Sequence, residues 1–219
     1  FEGSFYDRDL LGEIFEKFTI KSVIHAAALR GGGAGTKKDY DRVNVRGTET
    51  LLEASFENQA SKFIFFSSVG VFGTIPREVP ARILTELNGD NEYHRSKILA
   101  EKKATEFIEK GLNVLIIRPT ITYGKGDDGF SKTLVELVRK RILFIPFKDV
   151  KIHLLDVVGC AELVIEMLKA RDLNERVFIA ADSDPILLGE LANLIYFHCH
   201  GVDYPHFLRM PTFVFRAVS

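Results

Sequence analysis

The chain has 219 residues, 46% of them hydrophobic and 27% charged, with 29 basic against 30 acidic side chains. A domain of this length buries well over half of the surface its unfolded chain exposes, and the apolar fraction excludes intrinsic disorder. The balanced charge leaves no electrostatic footprint for nucleic acid or an anionic membrane, and no run reaches the ~20 apolar residues that span a bilayer.

The two cysteines, Cys160 and Cys199, form neither a disulfide framework nor a metal spacing, so no metal is expected. This usage suits a reducing cytoplasm, and no signal peptide opens the chain. The first residue is Phe1 rather than Met, and the last residues, 213–218, form an apolar run. Both ends read as interiors of elements, and a fragment is the expectation.

In chain order, a helix is predicted over 9–18, where Leu10, Ile14 and Phe18 stand four apart behind an acidic first turn. A strand over 22–28 follows, then a helix over 39–57 carrying Val43, Leu51, Leu52 and Ala54. Strands over 63–68 and 114–118 flank a helix over 93–109 that stops at Lys110-Gly111. The three strands read as apolar on both faces, as parallel strands under two helical layers must be. Helices are predicted over 131–141, 156–170 and 187–200, with a returning strand near 176–180. Alternation at this spacing predicts an α/β fold, a doubly wound parallel sheet with right-handed crossovers. From about Asp127 the turns become polar and punctuated by Pro146, Pro185, Pro205 and Pro211. The expected division is therefore a sheet domain over 1–126 and a small lobe over 127–219 at the sheet's carboxyl edge, where α/β folds seat ligands.

Tyr93-His94-Arg95-Ser96-Lys97 carries the most chemistry. Residues four apart share a helix face, so the phenol and the ammonium can enter one pocket. A nearby cation favours the phenolate, and such a pair can exchange a proton with an alcohol or carbonyl oxygen. The buried strand Phe63-Ile64-Phe65-Phe66 ends in Ser67-Ser68, which puts hydroxyls at the ligand edge. Two further strand tips follow the same logic: His25-Ala26-Ala27-Ala28, whose small side chains admit a flat ligand, and Arg118-Pro119-Thr120. Asn44 lies in the helix after the first of these.

This order of motifs resembles the extended short-chain dehydrogenase/reductases, the NAD-dependent epimerase/dehydratase family, from Phe1 to about Asp184. The matching phrases are Val23-Ile24-His25-Ala26-Ala27, Asn44-Val45-Arg46-Gly47-Thr48, Phe65-Phe66-Ser67-Ser68, Tyr93 with Lys97, and Arg118-Pro119 with Tyr123-Gly124. The resemblance implies a partial dinucleotide-binding Rossmann domain over 1–126, a mainly substrate-binding lobe over 127–219, and NAD or NADP as cofactor. The activity implied is hydride transfer at a carbinol carbon of a sugar-like or other alcohol, including the transient oxidation that begins an epimerisation or dehydration. Tyr93 is then the acid/base, while Lys97 holds the nicotinamide ribose and depresses the Tyr93 pKa. Ser68 polarises the substrate oxygen, and Asn44 supports Lys97 through water. Ala26, Ala27, Ala28 and Ser67 line the cofactor with Tyr93 and Lys97, while Pro119 and Thr120 lie beside the nicotinamide. The resemblance also implies a homodimer through the helices over 39–57 and 93–109.

The departures are specific. The glycine-rich turn G-x-x-G-x-x-G that seats a pyrophosphate on a helix N-terminus does not occur at the start of the chain. These residues alone are expected to bind a dinucleotide weakly or not at all; with a head of about 50–60 residues, normal binding is expected. Ser4 stands where the family has an aspartate, and Ile121 where nucleotide-sugar members have an asparagine. The tail from Phe178 to Pro211 is similar to members acting on 3β-hydroxysteroids, an alternative substrate class. A non-catalytic binding domain without a cofactor head is the alternative of another kind. Arg30-Gly31-Gly32-Gly33-Ala34-Gly35-Thr36 reads as a loop over the substrate mouth, and His198-Cys199-His200 as polar residues at a helix end.

Overall fold

The structure, a computed structural model, describes residues 1–31, 35–171, 173–205 and 208–210. Gly32, Gly33 and Ala34 of the expected mouth loop, and the tail beyond Met210, lie outside the described residues.

Helix α1 (Arg8–Lys17) starts at Asp7, whose carboxylate accepts the Asp9 and Leu10 N–H groups that the first turn leaves unpaired. Strand β1 (Ser22–His25) leads to α2 (Lys37–Tyr40), entered through a Thr36–Asp39 capping box. The chain continues without a break through a π-helical turn (Asp41–Arg46) into α3 (Gly47–Glu57). Next come β2 (Lys62–Phe66), a tight 3-10 turn (Val69–Phe72), α4 (Glu92–Glu109) and β3 (Val114–Pro119). The remaining elements are β4 (Ile121–Tyr123), α5 (Phe130–Arg139), β5 (Ile145–Pro146), β6 (Lys151–Ile152) and β7 (Leu154–Asp156). After these follow α6 (Val157–Lys169), β8 (Val177–Ala180), β9 (Ile186–Leu187), α7 (Leu188–His200) and β10 (Arg209–Met210).

The chain divides into two compact units. The first, Phe1–Pro119 with Glu162–Ala180, holds a four-stranded sheet in the order β1-β2-β3-β8, every pair parallel. Phe63 and Phe65 of β2 and Val114 and Ile116 of β3 meet Leu11, Phe15, Leu52, Ala100, Ala104 and Phe107 of the helices in one apolar cluster. Each fully buried side chain of this kind contributes about 1.5–3 kcal/mol. Lys62, at the start of β2, is buried and donates to the carbonyls of Met167, Leu168 and Ala170 at 2.6, 3.0 and 2.5 Å, closing the end of α6.

Two expectations change here. The strand expected over 22–28 ends at His25, and β1 is not buried on both faces: Ile24 is 49% exposed. Among the described residues β1 is the sheet's edge strand, so its apolar pattern is shared with the central strands but its cover is not. The first unit also ends at Pro119 rather than at 126, because the next strand, β4, pairs in parallel with β7 of the second unit.

The second unit, Thr120–Ala161 with Ala181–Ser219, packs α5 against α7 through Leu134, Val138, Ala192 and Tyr196. Its strands are short pairs: β4 with β7, β5 with β10 and β6 with β9. The Asp156 carboxylate accepts from the Val158 and Gly159 N–H groups at the start of α6, which is the capping role its position predicts. His198, Cys199 and His200 form the exposed last turn of α7. Among the described residues no helix is long and apolar enough to cross a membrane.

Candidate active site

Helix α4 begins at Asn91, whose side chain accepts the His94 N–H. From that start Tyr93, Lys97 and Glu101 follow one another at single-turn spacing on one face. The Ser68 hydroxyl lies near enough to the Tyr93 phenol to favour its ionised form. Burial pushes the phenol above its ordinary value, the Ser68 hydroxyl and the Arg30 cation pull it down, and Tyr40 adds to the rise. The nearby cation that lowers the phenol is Arg30, while Lys97 is engaged by β2. Its ammonium donates to the Phe66 carbonyl at 2.7 Å and lies 5.1 Å from the centre of the Phe65 ring. Burial brings that ammonium down to about 8, against the Glu101 carboxylate, which raises it.

Ser67 and Ser68 turn to opposite tasks. The buried Ser67 hydroxyl donates to Glu101 Oε1 at 2.5 Å. Ser68 caps the following 3-10 turn by accepting the Gly70 N–H at 3.0 Å, which fixes its hydroxyl beside Tyr93. Gly70 is small for a reason: an added Cβ would lie 2.5 Å from His94 Nε2. The His94 ring is in turn held by the Asp90 carboxylate at 2.5 Å. Burial raises the Asp90 carboxyl, but the Thr74 N–H and His94 outweigh it and hold it down at about 2.

Asn44 sits in the π-helical turn and is 2% exposed. Its amide oxygen accepts the Leu29 N–H at 2.7 Å, and its nitrogen donates to the Leu29 carbonyl and to Ser96 Oγ, both at 2.9 Å. Ser96 passes the tie on to the Tyr93 carbonyl at 2.7 Å. Asn44 therefore reaches Ser96 and pins the loop after β1 against the start of α4. That loop touches the site: a Cβ on Gly31 would come within 3.1 Å of the Tyr93 ring, and the Tyr40 hydroxyl donates to the Arg30 carbonyl. π-turns of one helical turn often mark functional positions.

Behind Asn44, the Thr48 hydroxyl donates to the Asn44 carbonyl at 2.6 Å and stands 2.9 Å from His25 Nε2. A hydroxyl already donating there is left to accept, so the His25 ring carries its proton on Nε2. Burial and then Lys97 lower His25 to about 4, which keeps it neutral near pH 7.

Ala26 and Ala27 are exposed and Ala28 half-buried beyond the end of β1. Pro119 closes β3. Thr120 opens the second unit, and its hydroxyl is buried with no hydrogen-bond partner among the described residues. Sequence reasoning missed the partners Glu101, Arg118, Arg30 and His94. The run 93, 97, 101 carried a signal for Glu101, since a third chemistry-bearing residue continued the same helix face.

A parallel α/β sheet of Rossmann type, with a tyrosine, two serines and a lysine gathered at adjoining strand tips, defines the class. Within it the chain belongs to the NAD dependent epimerase/dehydratase family, whose profile matches residues 1–180. It is 30% identical over 158 residues to the UDP-glucose 4-epimerase of Vibrio cholerae, covering 69% of this chain and 48% of that protein. It is 38% identical over 105 residues to the UDP-glucose 4-epimerase of Erwinia amylovora, covering 47% of this chain and 31% of that protein. The matches thus span less than half the length of either curated relative. Among solved structures, the Bordetella bronchiseptica enzyme WbmH in complex with NAD+ shares the fold, with a TM-score of 0.77 and 19% identity over 94% of this chain and 68% of that one.

Proposed function

We propose that this chain serves an NAD-dependent epimerisation or dehydration of a nucleotide sugar, with Tyr93 moving the proton at the oxygen of a reacting carbinol. One observation carries the reading: the Ser68 hydroxyl, fixed by the Gly70 N–H, lies against the Tyr93 phenol, and Lys97 on the same helix face is anchored on the Phe66 carbonyl. A phenol and a hydroxyl side by side can both reach one substrate oxygen, the arrangement that general acid/base work requires. Both curated relatives named above are UDP-glucose 4-epimerases, which supports sugar nucleotides as the substrate class. Since no 3β-hydroxysteroid enzyme stands among them, the steroid alternative is not carried forward.

The residues present fit a dinucleotide. Ala26 and Ala27 leave bare backbone at the tip of β1, where a flat ligand can approach. Ala26, Ala27, Ala28, Lys97 and Pro119 are the residues of the first unit that would hold it, and Ser67 contributes by fixing the tip of β2. When bound, the nicotinamide supplies the site's hydride acceptor and donor. Burial keeps the Tyr93 phenol protonated near neutrality, ready to donate to a carbonyl oxygen; Ser68 and Arg30 ease the reverse transfer by favouring the phenolate. Ser68 orients the same oxygen. A homodimer through α3 and α4, and a cytoplasmic setting, complete the proposal; light scattering tests the dimer.

Tyr93→Phe should lower the interconversion of UDP-glucose and UDP-galactose by about 10²-fold or more while leaving the circular dichroism spectrum unchanged. Undiminished turnover in that variant would remove Tyr93 from the reaction. Calorimetric titration of the full native protein with NAD+ separates this reading from a non-catalytic binding domain, which would give no heat.

A further inference from the structure

We propose that Glu101 is the positioning residue of this site: through Ser67 it fixes the strand tip that presents Ser68 to Tyr93, and one helical turn beyond Lys97 it sets a carboxylate on the face that carries the ammonium. The proposal rests on the reading of Tyr93, Ser68 and Lys97 given above and names the group that keeps them in register.

The geometry is dense. Glu101 Oε1 accepts from Ser67 Oγ at 2.5 Å and from Arg118 Nε at 2.9 Å, and Oε2 accepts from Arg118 Nη2 at 2.7 Å. All three residues are nearly inaccessible: Ser67 is 4%, Glu101 5% and Arg118 5% exposed. Arg118 also donates to the Ile83 carbonyl at 3.0 Å and lies over the Phe72 ring, so the far side of the pair is anchored too. The carboxylate thus joins three elements, α4, the tip of β2 and the tip of β3. Ser67 is held a second time through its N–H, which donates to the Ile117 carbonyl at 2.7 Å. With residue 67 fixed by side chain and backbone, the backbone of residue 68 is set, and the Gly70 N–H holds its hydroxyl on the Tyr93 side.

A buried ion pair is weak evidence for stability as such, since apolar replacements often do as well. A carboxylate that also takes a serine hydroxyl beside a lysine is better explained by what it holds in place. Groups facing Lys97 come from every neighbouring element. They are Glu101 on its own helix, His25 on β1, and the Phe66 carbonyl and Phe65 ring on β2. Tyr93 shares its helix face, and Arg118 on β3 stands behind Glu101. Of these, Glu101 is the carboxylate that favours the charged ammonium, with the Phe66 carbonyl and the Phe65 ring beside it, while burial opposes it.

The test follows two resonances in the full protein by NMR, the Lys97 ammonium in ¹⁵N-lysine samples and the Tyr93 Cζ in ¹³C-tyrosine samples. In Glu101→Gln the Lys97 titration midpoint should fall by about one pH unit. A Glu101→Gln protein with native circular dichroism and an unmoved Lys97 midpoint overturns the proposal. Ser67→Ala removes one hydroxyl, leaves the ion pair whole and serves even if the first variant does not fold. In it the Tyr93 midpoint should rise as Ser68 loses its fixed place, and kcat should drop about tenfold with KM little changed. An unmoved Tyr93 midpoint in Ser67→Ala overturns the positioning role. A wild-type protein that turns over no UDP-sugar would sink the functional reading alone, because both titrations are read without turnover.

Discussion

The tips of β1 and β2 are neighbours in a parallel pair, yet they end in opposite ways. At β2 the polar groups are committed: Ser67 to Glu101 and to the Ile117 carbonyl, Ser68 to Gly70 and Tyr93. At β1 the chain leaves the sheet after a buried, neutral His25 and runs through exposed Ala26 and Ala27. Its next side-chain anchor is the grip of Asn44 on Leu29. A reacting hydroxyl has to be held to within a fraction of an ångström, which takes buried polar ties. A flat ligand needs the reverse, backbone without side chains in the way.

That contrast can be broken at its strong end first. Arg118→Met leaves the Glu101 carboxylate buried and unpaired and should cost about 3–5 kcal/mol in urea unfolding. A loss below about 1 kcal/mol would mean that the tip of β2 is not held by this pair.

Acid should act next, through His25. Its folded pKa is lowered to about 4 from 6.5, so the unfolded chain takes up the proton first as pH falls. The stability present above pH 6.5 is therefore lost progressively toward pH 4, by up to about 3 kcal/mol. Urea melts at several pH values should show the slope, and His25→Gln should flatten it between pH 6.5 and 5, above the range in which carboxylates such as Asp90 contribute.

Asn44→Ala removes three hydrogen bonds and should cost about 1–3 kcal/mol, with the loop at Leu29 losing amide-exchange protection while α4 beyond Lys97 keeps it. The smallest effect on stability belongs to the bare end. Ala27→Val should change unfolding by no more than about 0.5 kcal/mol, while calorimetry shows NAD+ binding weakened about tenfold. Equal affinity in that variant would remove Ala27 from the dinucleotide seat.

Much of this architecture was legible because its signals are local. The four strands and the helices between them follow from apolar period and from stop signals such as Lys110-Gly111. The shared face of Tyr93 and Lys97 follows from helical spacing alone. What joins distant segments was hidden: Glu101 meets Ser67 and Arg118 across 34 and 17 residues of chain, and each of the three reads alone as an ordinary polar position. The exposed Ile24 was misread because place in a sheet is a property of strand order, not of the strand's own pattern. The π-turn at Asp41–Arg46 was missed for another reason: it adds one residue to a turn inside a continuous helical run, too short to shift the apolar period.

Lys62 gives the fold a built-in reporter. Its three ammonium hydrogens are spent on three carbonyls at the end of α6, and the side chain is 6% exposed. An acylating reagent needs a free amine lone pair and room to approach, and here it finds neither. Lysines at the surface such as Lys110 should be labelled within minutes, whereas Lys62 reacts only when the end of that helix lets go. Mass spectrometry of the Lys62 peptide would then time a single local opening event in an otherwise folded molecule.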